Sequence, residues 1–285
     1  VGAVRERGLH AAVVGVRTRL AGHHRSLDDA LLAPLEGARA LEIGGPTDRF
    51  GTGAPFPVYP RLKSCDCVQW RSETAWHRLD ENAPFAPEGI PLGRLHVVAG
   101  DDLGELPGVP YDAVISCHVI EHFANPMRAL AEWRAALRPG GHVLIVAPHG
   151  AATFDHRRPP TSVAHMLEDY ERGTGEDDLT HLDETLRLHD RRRDPTTADD
   201  DSWATDRRNN FETRLLHHHV FHGGNLAGLV DAAGFQLRWV RAQFPHDILI
   251  LAERLPDGKE PDNAALLASD AEWRRGSPFV VDRGA

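Results

Sequence analysis

A chain of 285 residues is long enough for one well-filled α/β domain plus an insertion. Its 41% hydrophobic and 26% charged composition excludes the disordered and fibrous classes, and a net charge of −10 argues against nucleic acid as a partner. Cys65, Cys67 and Cys117 are too few for a disulfide framework. Charges and glycines interrupt every apolar window through Leu20, and no run reaches transmembrane length, so a cytoplasmic protein with no membrane partner is expected.

Apolar positions at helical spacing (Leu9, Val13, Val16, Leu20, then Leu27, Leu31, Leu32, Leu35) predict an N-terminal helical cover over residues 1–36. Ala38–Ile43 then reads as a strand entering the glycine turn Gly44-Gly45. Further strands are expected at Ser64–Val68, Leu95–Ala99, Tyr111–Ser116 and His142–Pro148. Between the last two, Pro126–Leu137 carries one apolar stripe and stops at Arg138-Pro-Gly-Gly141. Strand, helix and strand in this order imply a right-handed parallel crossover. Residues 37–150 therefore read as a nucleotide-binding core. Residues 151–222, rich in Asp, Arg, His and Thr, read as an inserted lid with two short helices. A helix and hairpin over 223–256 return to the core, and 257–285 read as a polar tail, partly disordered. The acidic run Asp199–Asp201 reads as solvated loop charge.

In an open parallel sheet the ligand sits at the carboxyl ends of the strands. There Glu42 precedes a turn whose glycines let backbone approach a ligand. Asp66, about 20 residues on, is placed to take ribose hydroxyls. Asp101 and Asp102 follow the third strand, where a carboxylate can accept from an adenine amino group. The G-x-G-x-x-G turn of dinucleotide oxidoreductases is not present, which argues against NAD.

Tyr111-Asp-Ala-Val-Ile-Ser-Cys-His-Val-Ile-Glu-His122, Asn125-Pro126 and Leu137-Arg-Pro-Gly-Gly-His-Val-Leu-Ile-Val-Ala-Pro148, together with Ala40-Leu-Glu-Ile-Gly44, resemble the class I S-adenosylmethionine-dependent methyltransferases, in a bacterial group acting on small molecules or glycans. The resemblance implies an α/β, Rossmann-like sheet of seven strands with the last antiparallel. It also implies S-adenosylmethionine as cofactor. Carried over residue by residue, Glu42, Gly44 and Gly45 hold its methionine part, Asp66 its ribose and Asp101 or Asp102 its adenine, while Ser116 and His118 line its sulfonium end. The turn departs from the family's pattern by Pro46-Thr47 where many members have a third glycine. The link to the second strand holds several prolines and no clear helix.

Methyl transfer needs positioning and removal of an acceptor proton, a task suited to histidine. His118, His149 and His156 are the candidates, with His156 favoured because Asp155 and Arg157 flank it. Asp155, Arg157 and the run His217-His218-His219 are expected to meet a small-molecule or saccharide acceptor. If His217 and His219 share one face of a strand, a metal set with His181 and Asp190 stays open beside the expectation of no metal. Other S-adenosylmethionine chemistry, namely cyclisation or metal-assisted oxidation, and a non-catalytic cofactor-binding scaffold also stay open. Acceptor identity and oligomeric state are not encoded in any motif.

Overall fold

The computed structural model describes residues 29–74, 83–194 and 199–284. Most of the expected N-terminal helical cover lies outside the described residues. Its described part is one turn, Asp29–Leu32, continued by Ala33–Leu35, with Leu32 and Leu35 fully buried.

One sheet contains β1 (Arg39–Ile43), β2 (Ser64–Gln69), β3 (Pro84–Phe85), β4 (Gly93–Val97), β5 (Tyr111–Cys117), β6 (Leu137–Pro148), β7 (Gln236–Gln243) and β8 (Asp247–Glu253). Their order is β3-β4-β2-β1-β5-β6-β8-β7. Strands β4, β2, β1, β5 and β6 run parallel, and β8 runs antiparallel to both β6 and β7. This is the expected Rossmann-like arrangement. The count is eight rather than seven because the two-residue β3 pairs antiparallel with the edge of β4. Chain order reverses between β1 and β5, and a crevice opens at such a switch point.

Strand residues alternate between two cores, as the period of two requires. Leu41, Ile43, Val114, Val143, Ile145, Ile248 and Ile250 face one side, where α1 (Pro126–Ala136) contributes Leu130 and Trp133. Ala40, Ala113, Ile115, Leu144, Val146, Leu249 and Leu251 face the other. Pro55, Pro57 and Pro60 deny that second side a helix between β1 and β2, so Phe50, Phe56, Val58 and Tyr59 cover it from short turns. Helix α1 begins where Asn125 accepts from the Arg128 amide at 2.9 Å and Pro126 takes the first position.

The inserted segment holds α2 (Val163–Arg172), α3 (Leu182–Leu188) and α4 (Asp200–Arg208) before α5 (Gly223–Ala232) returns to the first core. Helix α4 overturns the solvated-loop reading of Asp199–Asp201. Asp199 caps it by accepting from the Ser202 amide at 2.9 Å, and Asp200 and Asp201 occupy the positive first turn.

The polar tail is also folded. Asp282 is fully buried, accepts from the Gly223 amide at 2.8 Å at the start of α5, and accepts from Ser277 Oγ at 2.7 Å. Asn263 accepts from the Leu237 amide at 2.8 Å. Its polar residues saturate backbone groups of the core, which composition alone does not reveal. No helix among the described residues is long and apolar enough to cross a membrane.

Candidate functional site

Two cavities adjoin at the carboxyl ends of the parallel strands. The first, of about 700 Å³, runs from the glycine turn (Gly44, Pro46, Thr47, Arg49) past Gln69 and Trp70 at the end of β2 to Ala99, Gly100 and Asp101 after β4. Cys117, His118, Val119, His122 and Phe123 form its floor after β5, and Glu176 and Arg214 reach over it from the lid. The second, of about 330 Å³, lies between the end of β6 and the lid, lined by Glu121, Phe154, Arg193, Arg207, His217 and His246 among others. His118 and His122 line both cavities and form the wall between them.

The glycine turn is built from below. Gly44 has φ +76, a conformation glycine adopts without strain, and a Cβ there would stand 2.6 Å from Val119 Cγ2. A Cβ on Gly45 would overlap the Glu42 carboxyl group. That carboxyl is buried, accepts from the Tyr59 hydroxyl at 2.9 and 3.1 Å, and is pushed up by burial to about 8, while Tyr59 accepts from the Thr47 amide at 2.9 Å. Glu42 thus supports the turn from beneath and does not line the cavity. Gly45 also stays outside the lining, its carbonyl taken by the Gln69 amide group.

The structure separates the remaining expected cofactor residues. Asp101 is 5% exposed and lines the first cavity, whereas Asp102 is exposed outside it. Asp66 does not stand at the end of its strand. The strand continues to Gln69, and the Asp66 oxygens accept from the Arg94 amide and the Tyr111 hydroxyl, both at 2.9 Å. Ser116 is fully buried beneath the floor. The residues that replace them in the lining, Arg49 and Trp70, carry an unspent donor each. Arg49 Nε and Trp70 Nε1 are buried without a hydrogen-bond partner among the described residues. An arginine soon after the turn and a tryptophan just past the second strand are the signals in the sequence.

Of the three candidate bases, the structure brings only His118 to the cavities. Its backbone has φ 54, a strained conformation for a non-glycine residue that costs roughly 1–3 kcal/mol and fixes the imidazole in the wall. Its Nε2 lies 3.1 Å from Asp247 Oδ1. Burial pushes the Asp247 carboxyl up, but the His118 bond and the Arg49 ion pair outweigh it, and the net shift is downward, keeping it ionised. His149 is fully buried outside both linings, 3.2 Å from Asp282 and packed against the Phe279 ring. His156 lies outside both linings, 3.1 Å from Asp190, and Arg157 joins the same carboxylate at 3.0 Å.

The histidine run also divides. His217 lines the second cavity and pairs through Nδ1 with Asp155 at 2.6 Å. His218 and His219 are buried away from it, one against Asn210 at 3.0 Å, the other against the Ala124 carbonyl at 3.2 Å. Residues 214–220 form no strand, so the expected shared face of His217 and His219 does not exist. His181 and His219 do converge, but with His165 and Asp169 in place of His217 and Asp190.

Arg158, rather than Arg157, organises this region. It is 4% exposed and bonds Glu184 at 2.8 Å, Asp155 at 3.0 Å and the carbonyls of His217 and His218 at 2.8 and 3.1 Å. With it and His217, the Asp155 carboxyl is drawn well below the usual range although burial opposes this. Sequence reasoning also missed His122, His246 and Glu121. Burial holds the two histidines neutral, pushing His246 down to about 4, and raises Glu121. The Glu121-His122 pair was visible as part of the fourth-strand motif, though without a role.

A family model described as a methyltransferase domain matches residues 17–239. An uncharacterised 37.1 kDa protein of transposon TN4556 from Streptomyces fradiae is 35% identical over 130 residues, which is 44% of this chain and 35% of that protein. The ubiquinone biosynthesis O-methyltransferase of Maricaulis maris is 31% identical over 112 residues, 38% of this chain and 39% of that protein. These matches thus span well under half the length of either curated relative. An S-adenosylmethionine-dependent methyltransferase structure from Mesorhizobium loti covers 79% of this chain and 95% of its own, with 16% identity and a TM-score of 0.46.

Proposed function

Because this chain belongs to the S-adenosylmethionine-dependent methyltransferase family, we propose that it holds that cofactor in the first cavity and methylates an oxygen or nitrogen of a small-molecule or glycan-like acceptor in the second. The observation that carries the reading is the shared wall: His118 and His122 face both spaces, so a group presented at the floor of one meets a group held in the other.

The first cavity fits the cofactor. Its volume lies within the roughly 300–1,000 Å³ of small-molecule sites. The Arg49 guanidinium and the bare Gly44 backbone suit a carboxylate at one end, and Asp101 and the Trp70 ring suit a purine and sugar at the other. When bound, S-adenosylmethionine supplies a methyl group made electrophilic by its positively charged sulfur. Glu42 and Tyr59 keep the turn in place. Glu176 and Arg214, paired with each other, close over the cavity and help to exclude water.

In the second cavity, Arg193 and Arg207 suit an acceptor with an anionic or hydroxylated edge, and Phe154 and Leu215 suit its apolar body. With His118 Nε2–H donated to Asp247, His118 Nδ1 keeps its lone pair and takes the acceptor's proton. Asp247 fixes the ring and balances the imidazolium that results.

His118→Ala tests the reading. Turnover should fall about 10²–10⁴-fold while S-adenosylhomocysteine affinity stays near that of the parent. Undiminished turnover would overturn the assignment. A metal-assisted oxidation is the second reading, favoured by the ligand atoms of His118, His246 and Asp247 all lying within 4.8 Å of one another. Product mass separates the two, since methyl transfer adds a CH₂ to the acceptor.

A further inference from the structure

We propose that His165, Asp169, His181 and His219 form a closed, four-coordinate site for a divalent cation of the zinc class, which ties three stretches of the lid to one another. His165 and Asp169 stand four residues apart on α2, on one face of the helix. His181 lies just before α3, and His219 comes from the segment returning to α5. The four residues thus join three stretches of the lid.

The spacing is that of a ligand set. A tetrahedral zinc with bonds of about 2.0–2.1 Å places its ligand atoms about 3.3 Å apart. His165 Nε2 lies 3.0 Å from His181 Nε2 and 3.3 Å from Asp169 Oδ2, and His219 Nε2 lies 4.0 Å from that same oxygen. All the donor atoms fall within 4.8 Å of one another.

Hydrogen bonding within the group leaves this convergence unexplained. The two Nε2 atoms can share one proton, yet Asp169 Oδ2 is buried with no hydrogen bond among the described residues. Its other oxygen is occupied, accepting from Thr174 Oγ1 at 3.2 Å and Arg172 at 3.3 Å, an outer shell that aims Oδ2 into the cluster. Binding would exchange the bond between His219 Nε2 and the Ala124 carbonyl for coordination.

Three imidazoles and a carboxylate favour zinc over calcium or magnesium, which prefer oxygen. Four protein ligands leave no open position, so the role is structural. Its placement says what is held. Asp169 accepts from the Thr174 amide at 2.9 Å and from its hydroxyl at 3.2 Å, two residues before Glu176, which overhangs the first cavity. The ion would therefore fix the loop carrying Glu176.

The test is titration of the chelator-stripped full chain, without an affinity tag, with Zn²⁺ and Co²⁺. One equivalent of either should bind, cobalt should give the intense visible bands of a four-coordinate ion, and zinc should raise the melting temperature. His165→Ala and Asp169→Asn should each weaken binding by about 100-fold or more. His246→Ala, in a separate histidine group, should leave it intact. His165 is only partly buried, so its variant decides the matter if Asp169→Asn does not fold. Absence of binding by the parent, undiminished binding by His165→Ala, or loss of binding in His246→Ala instead would overturn the site.

Discussion

The glycine-turn end of the sheet and the histidine-rich lid prepare for ligands in opposite ways. At the turn, space is made by what is missing: glycines with no side chain, and a buried acid supporting them from beneath. In the lid, buried charged groups such as Asp155, Arg158 and Asp190 are already committed to others, Arg158 to four partners. A cavity lined by backbone accepts a common ligand through shape. One walled by interlocked ion pairs is specific and tolerates little change. This contrast fits the proposal of cofactor binding in the first region and acceptor choice in the second.

The most severe way to break it is Gly45→Ala. The new Cβ cannot coexist with the Glu42 carboxyl, so the turn must shift. Calorimetry should find S-adenosylhomocysteine binding abolished, and retained affinity would show that the turn is not the holding element. Next comes the shared wall. Asp247→Asn leaves His118 in place but removes the charge that balances its proton, so kcat should fall by roughly 10²-fold with little change in cofactor affinity.

Within the lid, Arg158→Ala leaves Asp155 with His217 alone and removes the donor to two carbonyls in the interior. A loss of about 3–5 kcal/mol is expected in denaturant unfolding, as for other broken buried ion pairs. A loss near zero would mean that the network is not what holds the lid.

Glu176 joins the two regions and gives a pH test. Burial raises its pKa from 4.5 to about 7, with Arg214 opposing. A raised folded-state pKa contributes stability that is complete below about 4.5 and lost as pH rises through about 7. Glu176→Gln should therefore gain on the parent in unfolding free energy across that window, by up to about 3 kcal/mol, read by denaturant unfolding at each pH. A gap independent of pH would contradict the assignment. The smallest effect belongs to Asp66→Asn, where cofactor affinity should be unchanged and stability should move by about 1 kcal/mol, because both Asp66 oxygens are engaged inside the sheet.

The fold was legible where its cause is local. Alternating apolar residues, Gly44 at the turn, Asn125-Pro126 opening α1 and Asp247–Glu253 as a strand each follow from neighbours in the chain. The site was legible in its glycine turn and in Asp101, His118 and His217, but not in its other side chains. Asp66 was misplaced because the strand continues three residues beyond it, and a strand's last residue is not marked by its own type. Side-chain pairs of the lid and tail join residues far apart, 62 positions for Asp155 and His217 and 133 for His149 and Asp282. No spacing rule in the chain anticipates such partners. For the same reason the tail read as loose polar sequence although Asp282 and Asn263 serve the core.

The proposed meeting of cofactor and acceptor at the wall formed by His118 and His122 is open to a crystal structure with S-adenosylhomocysteine. The adenine should lie beside Asp101 and Trp70 and the sulfur at the His118–His122 floor, facing the second cavity. A sulfur turned away from that wall, or a ligand seated outside the glycine turn, would contradict it.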